Sequence, residues 1–454
     1  MKEVKYYPLT QAQLMLFFQM KYCIKKQCVN LCTEIEFQED IDTNLMLQAL
    51  YTGVLRSPAL HIRLHKNPDK TIVQYFSDAA PEKLEIVDFS DKSEEEFNKT
   101  IAKWNGTPFP NKLMETQLYN LKLILKPNGK YAIYGNYCHI IADAYSIMAT
   151  FKDIMGVYDA IKNQKPMPAP LPSPLPAYEA DFKYQGSDKE KEDLKFFDEE
   201  IFDTEPQYTN LNGRSDKAFL KDKKYGKYHY SPAMKGDAVV YTIPAEVDKA
   251  ATEFALANKV SPQAMYLLAI RTYLSGMCKV DDVTFTNTVA RRATLAQKRA
   301  GGTMVNAIPL RFRFNNETTV AEACRLVYAN QCESYRHANC SCGGILSMVD
   351  KKYNKPQGMS YFDFGTTYQP YFLIDDSVQV KFKRMPNGCE TQSVYMSIMP
   401  CDNKGTISID YSYQVAAYTP ESLKKFHDFI VDFLREAVKE PEKTLSYFIE
   451  KYIK

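Results

Sequence analysis

The stretch YCHIIADAYS, Tyr137 to Ser146, joins a strand-like run to the most regular helix pattern in the chain. Upstream, KYAIYGNYCHI reads as a buried strand. Downstream, Ile147, Phe151, Ile154, Tyr158 and Ile161 recur at spacings of four, three, four and three, which predicts a helix with one apolar stripe. His139 therefore falls at a strand end, where its ring can project into a cleft. Asp143 falls just before the helix, where its carboxylate can fix the local backbone. An imidazole near its ordinary pKa is the side chain best suited to moving a proton at neutral pH. The spacing alone is not specific: His65 and Asp69 repeat it in what reads as a turn. It equally fits a helix N-cap aspartate beside a core histidine.

Working outward, KPMPAPLPSPLPAY places Pro166, Pro168, Pro170, Pro172, Pro174 and Pro176 at every second position. Such a run predicts an extended connector, because proline neither continues a helix nor donates to a sheet ladder. It divides the chain into lobes expected at 1–177 and 178–454. In the first, Thr10 is a candidate cap for a helix carrying Leu14, Phe17 and Phe18. Strands are expected at CVNLCTEIEF, LHIRLH and LYNLKLIL, and a helix from about Asn44 to Arg56. In the second, helices are expected at Glu246 to Ala257, from Ser261-Pro262 and from Thr419-Pro420, with strands at VTFTNTVA and TISIDYSY. The charged segment from Ser187 to Lys235 reads as surface helix and loop. Both lobes mix strands with helices on one face, so the expected class is α+β.

Bulk properties exclude several classes. A chain of 454 residues is too long for one ordinary core and suits two domains. A net charge of +2 gives no bulk attraction to nucleic acid or anionic lipid. The start lacks a basic region followed by an apolar one, and AMYLLAIRTYLSGM is short and carries Arg271, so neither a signal peptide nor a membrane span is read. Eleven scattered cysteines without a CxxC pair are expected as reduced structural thiols, with no metal site, in the cytoplasm.

The central segment resembles the HHxxxDG signature of nonribosomal peptide synthetase condensation domains and their chloramphenicol-acetyltransferase-like relatives. Other motifs stand in the family's order. LTQAQLMLFF resembles SxAQxRLW, LRSPALHIRL resembles RHExLRTxF, and PAYEADFKY resembles YxDFAVW. TFTNTVARR and GGTMVNAIPLR resemble GTPVAGR and GxFVNTLPLR. The resemblance runs from about Tyr7 to the last helix. It implies two chloramphenicol-acetyltransferase-like sandwich lobes arranged as a V-shaped pseudo-dimer, with His139 at the reaction centre.

By the same resemblance Asp143 is architectural and bridges to Arg292, with a solvated Arg291–Arg292 pair as the alternative. Asn306, Tyr368 and Gln369 would line the substrate channel, with core packing or strand surface as the alternative for the last two. Two positions depart from the signature: Cys138 replaces its first histidine and Ala144 its glycine. On an extended segment Cys138 and His139 face opposite ways, so Cys138 is expected inside the lobe, and Ala144 narrows the channel or shifts Asp143. The implied reaction is attack of an amine on a thioester. The donor would be a phosphopantetheine-linked acyl group on an acyl or peptidyl carrier protein or on coenzyme A. No permanent cofactor is implied, and a monomer is expected. The alternatives are a coenzyme A-dependent O- or N-acyltransferase of the same superfamily and a non-catalytic docking platform.

Overall fold

The computed structural model describes residues 4–82, 84–110, 113–213, 235–354, 361–369 and 378–453. The elements begin where the sequence supplies end groups. Thr10 caps the helix Gln11–Tyr22 in a reciprocal box with Gln13. Ser261 and Thr419 cap the helices Pro262–Cys278 and Pro420–Ala437, each with proline in the first turn, where its missing N–H costs nothing. Asp143 caps the helix Ala144–Lys162, whose stripe of Ile147, Phe151, Ile154 and Tyr158 is buried.

The first lobe is built on a five-stranded sheet with a three-stranded sheet beside it. Across the larger sheet the strands run Val380–Met385, Asn30–Phe37, Tyr131–Cys138, Tyr119–Leu125 and Ile86–Asp88. The helices Thr43–Leu55 and Ala144–Lys162 pack closely, because Gly53 leaves space for Ile154, whose Cγ1 would overlap any Cβ at that position. The second lobe is a six-stranded sheet, ordered Asn306–Arg313, Asp282–Val289, Phe364–Tyr368, Val394–Pro400, Ile407–Gln414 and Gly236–Thr242. The helices Pro262–Cys278, Val320–Arg336 and Pro420–Ala437 share one core with its apolar face. The molecule is thus a mixed α+β structure with two layered lobes. No helix among the described residues is long and apolar enough to cross a membrane.

Contacts cross the 177/178 boundary. The helix Leu175–Tyr184 spans it, and Val380–Met385 pairs antiparallel with Asn30–Phe37, completing the first lobe's sheet from far along the chain. Val380 and Phe382 of this crossover strand are buried in the first lobe's core.

Two sequence expectations are corrected. The proline run is irregular only as far as its penultimate members: Pro174 is a helix N-cap and Pro176 lies in the first turn of Leu175–Tyr184. The charged segment is not all surface. Phe197, Ile201, Phe202, Tyr208 and Leu211 enter the second lobe's core from a single π turn and irregular chain, conformations that leave no periodic signature. Residues 214–234 of that segment lie outside the described residues.

Candidate active site

The strand Tyr131–Cys138 pairs with Asn30–Phe37, and the ladder continues one step as His139 N donates to Val29 O at 2.7 Å. Alternation along this extended run separates Cys138 from His139. Cys138 is fully buried in the first lobe's core, where burial pushes its thiol up to about 12. His139 keeps solvent-accessible surface. Ala144, half-buried, is the first residue of the helix Ala144–Lys162.

The imidazole is held in one tautomer. His139 Nδ1 lies 3.0 Å from Ala142 O, a carbonyl that can only accept, so Nδ1 carries the proton. Nε2 then holds a lone pair and has no partner among the described residues. Burial lowers the pKa of His139, with the Asp143 carboxylate opposing that shift in part and the Arg384 charge adding to it. The ring is therefore neutral at physiological pH.

Asp143 is the structural hub of the seam. Arg292 Nη1 and Nη2 donate to its two oxygens at 2.8 and 3.0 Å, Ser146 N donates at 2.8 Å and Met304 N at 3.0 Å. Both side chains of this bidentate pair are at most 1% exposed. Arg292 also donates to Gly302 O, while Gly302 N donates to Ser146 Oγ and Thr303 Oγ1 to His139 O. The second lobe's segment 302–304 thereby clamps the loop carrying His139. Arg291 is not solvated: its guanidinium donates to Asp181 at 2.7 Å.

The three residues expected along the channel take different positions. Asn306 is buried and donates to Ala338 O and Cys340 O, so its amide fixes a loop. Tyr368 shares the face of Phe364 and packs against the second lobe's core. Gln369, next along, alternates onto the opposite face with Gly365 and Thr367.

That opposite face is the surface the sequence reading missed. Thr284, Thr286, Thr367, Ser397, Ser408, Asp410, Ser412 and Gln414 lie on it, and all are buried. A polar face of a sheet normally meets solvent. Here it is roofed by the first lobe and the crossover strand. Arg384 of that strand lies 3.7 Å from Asp410, and a cavity of about 320 Å³ runs beside them, lined by Glu34, Lys126, Phe382, Lys383, Met399 and Ser408 among others. The signal for it was the alternation of ISIDYSYQ, whose polar half gave no hint that a second lobe covers it. Among the described residues no group of three or more acidic, histidine or cysteine side chains is placed to hold a metal ion.

The condensation-domain family model matches residues 3–448. The chain belongs to the condensation-domain family. Its similarity to surfactin synthase subunit 1 of Bacillus subtilis is 21% identity over 98% of this chain and 12% of that protein. For a plipastatin synthase subunit of the same organism the figures are 20%, 96% and 16%. The chain thus spans less than a fifth of either relative. The first condensation domain of the calcium-dependent antibiotic synthetase, solved with a substrate analogue, matches at a TM-score of 0.81, 17% identity, and 98% and 99% of the two chains. The starter condensation domain of rhizomide synthetase, solved with C8-CoA, matches at 0.79, 16% identity, and 97% and 96%. The condensation domain of monacolin K polyketide synthase matches at 0.78 and 14%, over 98% and 100%. These likenesses show that this condensation domain has the fold of its family.

Proposed function

We propose that this condensation domain is an acyltransferase that forms an amide by attack of an amine on a thioester, with His139 at the reaction centre. The observation that carries the reading is the His139 tautomer: Nδ1–H tied to Ala142 O, a basic Nε2 left unpartnered among the described residues, and a pKa held below the ordinary histidine range. Such a ring is an acceptor ready at neutral pH. The amine nitrogen attacks the thioester carbonyl and its proton passes to Nε2. Collapse of the tetrahedral intermediate breaks the carbon–sulfur bond, and the same proton returns from the imidazolium to the thiolate. The products are one amide and one thiol. Asp143 does not touch the ring in this scheme. With Arg292 it positions the loop on which the ring is carried.

The acyl donor in this reading is a phosphopantetheine thioester, on a carrier protein or on coenzyme A. The binding of C8-CoA by the rhizomide synthetase domain supports that class. The test is His139→Ala assayed for thiol release and for amide product by mass spectrometry. Turnover is expected to fall by about 10²–10⁴-fold with the thermal unfolding midpoint preserved. Near-normal turnover by the folded variant would overturn the assignment.

A further inference from the structure

The eleven cysteines are all free thiols, and two of them meet from opposite ends of the chain. Cys23 Sγ lies 3.9 Å from Cys389 Sγ, although the residues are 366 positions apart. Both are buried. Cys23 is the C-cap of the helix Gln11–Tyr22, and its N–H donates to Gln19 O at 2.9 Å. Lys26 Nζ donates to Cys23 O at 2.7 Å and to Met20 O at 3.0 Å, so an ammonium closes the same helix end. Cys389 N donates to Asn387 Oδ1 at 2.9 Å, which fixes the turn that carries the second sulfur.

That turn belongs to a segment, 387–391, on which the two lobes meet. Asn387 Nδ2 donates to Asn30 O and Gln19 Nε2 to Thr391 Oγ1, both at 2.9 Å, which holds the segment on the first lobe. Gly236 N donates to Gly388 O at 3.2 Å and Gln414 Nε2 to Glu390 O at 3.3 Å, which holds it on the edge of the second lobe's sheet. A bond between the two sulfurs would therefore tie a first-lobe helix to chain anchored on the second lobe.

We propose that Cys23 and Cys389 form a reversible disulfide that staples the lobes together when the protein meets a hydroperoxide. Closing the gap to a sulfur–sulfur bond asks for a movement of about 2 Å, shared between two side-chain rotations. Cys23 is the nucleophile. Hydrogen bonds from the Cys28 and Cys389 thiols hold its own thiol well below the ordinary range against the effect of burial, and the Lys26 charge adds to them. Exposed Tyr22 and Ile24 flank Cys23 and Cys28 is half-buried, so the cluster lies just beneath the surface. The Cys23 thiolate attacks a peroxide oxygen and the oxygen–oxygen bond breaks. The other oxygen leaves as an alcohol, or as water from hydrogen peroxide, with the proton that Cys23 gave up. Cys389 sulfur then attacks the sulfenic acid at Cys23, and the displaced hydroxide takes the Cys389 proton as water. Two thiols lose two electrons and the peroxide gains them. In a reducing compartment such a bond is transient.

The test treats the intact chain with hydrogen peroxide and maps linked peptides by mass spectrometry without reduction. A Cys23–Cys389 peptide is expected, with the loss of a pair of thiols. The link closes most of the chain into one loop, so the oxidised protein should run faster than the reduced protein on a denaturing gel. Dithiothreitol should restore the slower band. The linked protein should also unfold about 5 °C higher. Cys23→Ala and Cys389→Ala should each abolish the fast band. The proposal is overturned if Cys23 pairs with Cys28, which leaves gel mobility unchanged, or if peroxide leaves Cys23 and Cys389 free. A linked chain that melts no higher than the reduced one would overturn the stapling role.

Discussion

At His139 one hydrogen bond decides both protonation state and direction. Because the Ala142 carbonyl accepts from Nδ1, the basic lone pair is fixed on Nε2, and burial keeps the ring neutral. The folded pKa lies below the unfolded value, so the unfolded chain takes up the proton first as the pH falls. Stability from this group is thus complete above pH 6.5 and declines below it. The acid limb of a kcat/KM profile is expected to have its midpoint under 6.5, and a midpoint at or above it would contradict the tautomer argument. Cys138 makes a contrasting prediction. Its thiol is buried on the other face, so Cys138→Ala should cost about 1 kcal/mol of stability by denaturant titration while turnover stays near wild type. The opposite facing of these neighbours was legible from strand alternation alone. The acceptor carbonyl was not, because it depends on the turn through Ile140 and Ile141 that folds Ala142 back under the ring.

The elements around the ring are locked by a buried charge pair. Removing one partner leaves the other charge uncompensated, so Arg292→Ala is expected to destabilise by about 3–5 kcal/mol, read from the denaturant midpoint. Gly302 is part of the same clamp. It has φ of +93°, and a Cβ there would stand in the Tyr178 hydroxyl, so Gly302→Ala is expected to lower both stability and turnover by loosening the His139 loop. Helix starts were readable because Thr10, Ser261 and Thr419 are local signals. For Tyr368 the sequence left core and channel open for a physical reason: period two separates the faces of a strand without saying which one meets the core. When both faces of a sheet are covered, as along Ile407–Gln414, burial no longer marks the inner one.

The lobes are not independent at the scale of the whole molecule, since Val380 and Phe382 finish the core of the first from within the second. The single tryptophan, Trp104, sits in the first lobe and reports on it alone. Its fluorescence change and the loss of far-ultraviolet circular dichroism are expected to coincide on a denaturant scale. Phe382→Ala should shift both together by about 3 kcal/mol, and separated transitions would show that the crossover does not couple the lobes. The mixed α+β class could be read in advance from the strand and helix patterns and from the order of the motifs. The crossover could not: VKFKRM alternates like any short edge strand, and its partner lies about 350 residues earlier.

That exchange of a strand has a consequence for how the chain is made. When residues 30–138 have left the ribosome, the sheet has its middle strands but lacks the one that covers the flank of Asn30–Phe37. About 250 further residues must be synthesised before Met385 emerges, roughly 12–50 s at ordinary elongation rates. Through that interval an unpaired sheet edge stands open, a template for pairing with a neighbouring nascent chain, so yield from a fast, crowded expression host should depend on chaperones that shield it.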